Sequence, residues 1–212
     1  MVLRFTRART QLSRSPDPDP ERQLLVDLRL AGAEVGTVWE LAATDWYPIP
    51  VLRVLIDHLA RAEDPCIIRG IAQALKVRCG GRRAYVALVA KLTALRRRGD
   101  LDDRNLAEVL GHAVARHAER WDLEELLEYV RDPAFGAARI PLLNRVASWK
   151  QPSVIPDIMA LISDIELRPT VICVLGRLQA KEALPCIRAL LSAPDVHARG
   201  AAQRALRRFG PE

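Results

Sequence analysis

The chain has 212 residues, 50% of them hydrophobic, 27% charged and only 5% aromatic, with a formal net charge of +6. That length holds one elongated domain or two small ones around a sizeable core, and an apolar half excludes intrinsic disorder. Apolar runs such as Val171-Ile172-Cys173-Val174-Leu175 fall far short of the roughly eighteen residues that a membrane span needs.

In chain order, residues 1–20 carry Arg4, Arg7, Arg9 and Arg14, then Asp17, Asp19 and three prolines, with no apolar stretch. This reads as a basic, Pro-rich soluble arm rather than a secretory signal. Residues 21–46 read as an irregular capping pair of helices, 22–31 followed by 35–43. From Tyr47 to the end, three segments align without gaps: Ile49-Pro50-Val51-Leu52, Ile155-Pro156-Asp157-Ile158 and Leu184-Pro185-Cys186-Ile187. Each is an aliphatic residue, then a proline suited to the first turn of a helix, then apolar residues at helical spacing. The segments beginning at Tyr85 and Leu123 are weaker relatives. A second motif follows the first: Arg69-Gly70-Ile71-Ala72-Gln73 returns as Arg199-Gly200-Ala201-Ala202-Gln203, 130 positions later. Residues 105–115, 137–147 and 168–178 are further helical stretches with small or aliphatic residues on one face. Asp64-Pro65 and Asp132-Pro133 read as helix starts, and Gly80-Gly81, Gly99-Asp100 and Gly210-Pro211 as stops or turns. The pattern predicts an all-α chain of helix pairs repeating every 29 to 35 residues. Five pairs occupy 47–212, after the capping pair at 21–46. A single pair cannot hide its apolar faces, so stacking into a right-handed α-solenoid is the expected architecture.

Residues 64–75, Asp64-Pro65-Cys66-Ile67-Ile68-Arg69-Gly70-Ile71-Ala72-Gln73-Ala74-Leu75, resemble the second helix of a HEAT repeat. Val174-Leu175-Gly176-Arg177-Leu178 followed by Glu182-Ala183-Leu184-Pro185 resembles the junction between two such repeats. The likeness spans about residues 47–210. Its short period is similar to bacterial HEAT-like proteins, including the phycobilin-lyase type and small stand-alone HEAT proteins with no assigned activity. The middle units depart from the pattern, with Ala107 where an arginine is expected. The resemblance implies a binding scaffold whose second helices line the concave side.

Charge is banded along the chain. Residues 21–64 sum to −4, 65–100 to +8 and 101–135 to −5. The basic block holds Lys76, Arg78, Arg82, Arg83, Lys91, Arg96, Arg97 and Arg98. Its aromatic companion is Tyr85 alone, which suits a duplex backbone better than a stacked single strand. Four cysteines, Cys66, Cys79, Cys173 and Cys186, show no ligand spacing and read as reduced cytosolic thiols. Cys66 and Cys173 have the apolar neighbours of buried ones.

No nucleophile elbow, phosphate-cradling loop or dinucleotide fingerprint appears, and no metal or cofactor is called for. Gly80-Gly81-Arg82-Arg83 reads as an inter-helix turn. His112 and His117 are five apart and point to different sides of a helix, while Glu108 and His112 form an i,i+4 pair too small for a metal site. Arg69, Arg139, Arg168 and Arg199 fall near the starts of second helices. They fit a structural ladder onto carboxylates or carbonyls of the adjacent repeat, or a guanidinium row facing a partner. Trp39, Trp46, Trp121 and Trp149 read as packing plugs at the junctions.

These observations give a non-enzymatic cytoplasmic scaffold for an acidic protein surface, with Arg69, Gln73, Lys76, Arg139, Arg168, Arg199 and Gln203 as contacts. The alternative partner is duplex DNA. Trp121, Asp122 and Trp149 invite comparison with HEAT-like alkylpurine DNA glycosylases, without a matching motif.

Overall fold

The computed structural model describes residues 20–44, 46–77 and 80–209. Most of the expected arm, residues 1–19, and the Gly210-Pro211 stop lie outside the described residues. The fold is all-α, with no strand among the described residues. Its helices are α1 (Pro20–Leu30), α2 (Ile49–Arg61), α3 (Pro65–Ala74), α4 (Gly81–Arg98), α5 (Arg104–His117), α6 (Leu123–Arg131), α7 (Arg139–Ser148), α8 (Ile155–Ala160), α9 (Arg168–Leu178), α10 (Leu184–Ala189) and α11 (Val196–Phe209).

Local chemistry sets the starts. Pro50, Pro156 and Pro185 occupy the first turns of α2, α8 and α10, where a missing N–H costs nothing. Aspartates open the other set. Asp64 accepts from the Cys66 and Ile67 amides, and Asp103 from those of Asn105 and Leu106. Asp195 accepts from His197 and Ala198, and Asp164 from Glu166 and Leu167 just before α9. Asp132 accepts from Ala134 at the head of a 3-10 segment, Pro133–Ala138. Gly99, in the left-handed region at φ 76°, ends α4 as expected.

Two expected helices begin late. In the cap, residues 35–43 yield only a 3-10 segment, Val38–Ala43, because Thr37 is extended and Glu40 reaches back to the Gly36 amide and the Thr37 hydroxyl. The expected helix 137–147 starts at Arg139, because Gly136 at φ 51° breaks the backbone just ahead of it.

Packing follows chain order. Helices α2 and α3 touch, as do α4 and α5, α6 and α7, α8 and α9, α10 and α11; we call these the first and second helix of each pair. The second helices also touch in series, α3 on α5, α5 on α7, α7 on α9 and α9 on α11, an arrangement compatible with a helical repeat. One continuous core runs from Leu24 to Ala205.

Glycines govern how closely the second helices approach. A Cβ on Gly111 would lie 2.5 Å from the Ala138 carbonyl oxygen, and one on Gly176 would lie 2.8 Å from the Ala205 Cα. A Cβ on Gly70 would collide with Val38 of the capping segment. Gly200 is different, since its Cβ would meet only the movable end of Arg204. Gly176→Ala is therefore expected to cost about 1–3 kcal/mol through overpacking against backbone. Gly200→Ala should be neutral or up to about 1 kcal/mol stabilising, because it removes a helix-interior glycine. Urea unfolding of both variants checks the contrast.

Candidate functional site

Three of the four second-helix arginines are tied down at the ends of first helices. Such ends expose carbonyls that have no partner within the helix. Arg168 donates from Nε to the Ile162 carbonyl at 2.9 Å and from Nη2 to that of Ser163 at 3.1 Å. Arg199 donates from Nη1 to the Ala193 and Pro194 carbonyls at 2.7 and 2.8 Å. Arg139 donates from Nε to the Val130 carbonyl at 2.8 Å and from Nη2 to Asp164 of the following pair. Burial pushes the Asp164 carboxyl up, but Arg139 and the Leu167 amide outweigh it and hold the group below the usual carboxylate range. Arg139 is only 1% exposed, so it offers a partner nothing. The expected ladder onto adjacent repeats is met by Arg139 alone; Arg168 and Arg199 bind within their own pair.

Links between successive second helices come from residues that the sequence did not single out. Arg116 donates from Nε to the Lys76 carbonyl at 3.2 Å, and Arg145 from Nε to that of Ala118 at 3.1 Å. Arg177 donates from Nη2 to Asn144 Oδ1 at 2.6 Å. His117 is buried with Nε2 on the Leu75 carbonyl, which selects the Nε2–H tautomer. These groups cap one second helix from the next. Exposed or half-exposed polar side chains left on the second helices include Arg69 and Gln73 on α3, Lys76 just past its end, Glu108, His112 and Arg116 on α5, Asn144 on α7, Arg177 on α9 and Gln203 and Arg207 on α11. Glu108 and His112 form a solvent-exposed pair at 3.8 Å.

Half of the basic block, Arg82, Lys91, Arg96 and Arg98, is engaged within the molecule. Arg82 pairs with Asp122, Arg96 with Asp132, and Arg98 with Asp100 and Glu63. The Asp122 hydrogen bond raises the Arg82 guanidinium above its ordinary range. Lys91 is 7% exposed rather than part of a surface patch, and its Nζ donates to the Ala60 and Ala62 carbonyls at 3.2 and 2.8 Å. Arg83 and Arg97 are exposed without an ion-pair partner among the described residues, and Arg78 lies outside them. The expected surface banding thus gives way to α4 lying against the acidic segment that follows α5. There Glu125 also accepts from the Tyr85 and Tyr129 hydroxyls at 2.6 and 2.5 Å, and burial of both phenols pushes them well above their usual range.

Asp122, the acid of the DNA-glycosylase comparison, is buried, bound by Arg82 and by the Glu119 amide. Trp121 is 71% exposed and Trp46 also reaches solvent, so neither plugs a junction, whereas the Trp39 indole, partly exposed, lies over Gly70 where the cap meets α3. Trp149 does pack against the core, with Arg145 over its ring at 5.2 Å. The described cysteines are free thiols, with Cys66 exposed and Cys173 half-buried rather than both buried; Cys79 lies outside the described residues.

A cavity of about 540 Å³ opens between α1, α2 and the start of α3, lined by Gln23, Asp27, His58, Arg61, Glu63 and Asp64 among others. His58 Nε2 lies 2.8 Å from Asp27 Oδ2, and this hydrogen bond holds the Asp27 carboxyl below its usual range. An Asp–His pair activates a nucleophile in many sites. No Ser, Thr or Cys lines this cavity among the described residues. The two residues are 31 positions apart, and only the packing of α1 on α2 joins them. No group of three or more metal-ligating side chains occurs among the described residues, and no described helix is long and apolar enough to cross a membrane.

No protein-family model matches the chain, and comparison with curated proteins finds no match.

Two predictions follow from the polar caps. Arg168→Met and Arg199→Met each orphan two carbonyls and should lower unfolding stability by about 1–3 kcal/mol, read by chemical denaturation. Burial pushes the His117 imidazole below its ordinary 6.5, against the opposing pull of the Leu75 carbonyl. Below that pH the unfolded chain takes up a proton that the folded chain refuses, so stability falls as pH drops from 7. His112 is displaced the same way by burial and contributes to the slope. His117→Gln should flatten the fall without abolishing it in melts across pH 5 to 7.

Proposed function

We propose that the chain is a HEAT-like, right-handed α-solenoid of six helix pairs, counting the cap, and acts as a non-enzymatic cytosolic scaffold. Its second helices line the concave side and grip an acidic protein surface. The observation that carries this reading is the series contact of α3, α5, α7, α9 and α11 with polar side chains left along their shared face. Lys76, Arg116, Arg177 and Arg207 fall at the C-terminal ends of four of these helices, giving the face a cationic edge. On the first-helix side Arg82, Arg96 and Arg98 are neutralised by Asp122, Asp132, Asp100 and Glu63, which leaves Arg83 and Arg97 as the α4 arginines without an ion-pair partner among the described residues. The same neutralisation weakens support for duplex DNA, which needs free cations on one surface.

Capture from a lysate of the native host at low and at high salt tests the reading. A specific acidic prey is expected at low salt, released at high salt and lost with Lys76→Glu combined with Arg177→Glu. Arg83→Glu combined with Arg97→Glu, on the other side, should retain it. Retention by the first pair and loss with the second would reverse the assignment of the binding face, and a gel shift of duplex DNA surviving moderate salt would replace the protein partner.

A further inference from the structure

The four sequence-matched arginines are not equivalent. Arg139, Arg168 and Arg199 each satisfy carbonyls at the end of the first helix in their own pair. The carbonyl they share in position lies two residues before the capping aspartate; in the α2–α3 pair it is that of Ala62, which Lys91 fills by reaching across from α4, together with the Ala60 carbonyl. Arg69 makes no hydrogen bond to either among the described residues. Its Nε is the buried side-chain nitrogen or oxygen without a hydrogen-bond partner among the described residues, and no other bond or ion pair of its guanidinium is present there.

A guanidinium cannot shed its proton, so Arg69 carries a full charge without a hydrogen-bonded or ion-pair partner among the described residues. Leaving such a donor unpaired is costly, and supplying an anionic acceptor recovers that cost in a charge-assisted hydrogen bond. Its surroundings favour an anion. Gln73 follows one turn along α3 and Lys76 lies just past its end, where Arg116 of α5 docks on the Lys76 carbonyl.

We infer that Arg69 is the anchor for a partner carboxylate on the second-helix face, and that Lys91 creates this anchor by occupying the carbonyls that would otherwise hold Arg69. The assignment rests on the scaffold reading above and narrows it to one position. Lys91 is then neither surface charge nor spare basicity. It substitutes for the arginine that its neighbouring pair has released.

The test uses the full chain and a fluorescein-labelled oligo-glutamate peptide, followed by fluorescence anisotropy at low salt, with unlabelled duplex DNA as competitor. Wild type is expected to bind, Arg69→Met to lose about tenfold or more in affinity, and Arg199→Met to bind as wild type. Lys91→Met opens the Ala60 and Ala62 carbonyls to Arg69 and should also weaken binding, although Arg69 is retained. Thermal melts give a ligand-independent check: Arg69→Met should melt at or above the wild-type temperature, since it removes an unpaired donor. Equal peptide affinity of wild type and Arg69→Met overturns the anchor while leaving the scaffold reading intact. No peptide binding by wild type overturns both. A clear drop in the Arg69→Met melting temperature, or tighter Arg69-dependent binding of the duplex than of the peptide, overturns the carboxylate assignment.

Discussion

The structure depends on how closely its second helices approach one another. Helix axes ordinarily lie about 8–10 Å apart, with the distance set by the side chains between them. Here Gly70, Gly111 and Gly176 leave no room for even a methyl group against Val38, Ala138 and Ala205. Buried alanines at 72, 107, 113, 198, 201 and 202 extend the same small-residue surface. Aliphatic bulk surrounds these small residues on both sets of helices, in Leu55, Leu88 and Leu126 of the first and Ile68, Leu110, Leu142 and Ile172 of the second. Close approach at the glycines, with bulk filling the space beside them, fixes which residues emerge at the surface.

Charge shows why a linear reading and a folded one differ. The basic and acidic blocks are separate in sequence, yet Arg82, Arg96 and Tyr85 of α4 reach Asp122, Asp132 and Glu125, 36 to 40 positions away. Surface ion pairs contribute little individually, commonly under about 1 kcal/mol. Their effect here is on recognition: they remove cations from the pool that a ligand could use. Buried Lys91 acts likewise.

The helical class and most starts were legible because prolines 50, 156 and 185 and aspartates 64 and 132 mark them by simple stereochemistry. Asp103, Asp164 and Asp195 do the same work and were open to the same reading; Asp164 with Arg168 and Asp195 with Arg199 even share a spacing of four. The late start of α7 was less accessible, since the left-handed Gly136 reveals itself only in its torsions. Lys150 and Gln179 adopt positive φ without being glycine, yet apolar spacing alone put those helix ends at 147 and 178, within one residue of Ser148 and Leu178. At the candidate site, composition identified arginines but not their partners. Whether an arginine faces outward depends on which carbonyls lie beneath it, and those belong to residues about six to nine positions earlier or in another pair.

Polar stitching is unevenly spread along the chain. Between Ala60 and Asp164, neighbouring pairs are cross-linked by Lys91, Arg116, His117, Arg145 and Arg139, each reaching a group outside its own pair. In the final two pairs Arg168 and Arg199 close bonds locally instead, and a longer contact at 3.3 Å joins Gln179 to the Arg208 carbonyl. Opening the middle of the molecule therefore means breaking polar links and apolar packing together, whereas α11 is held on α9 chiefly by the close seat of Gly176 against Ala205. Salt and acid would loosen the centre of such a chain before they loosened its carboxyl end.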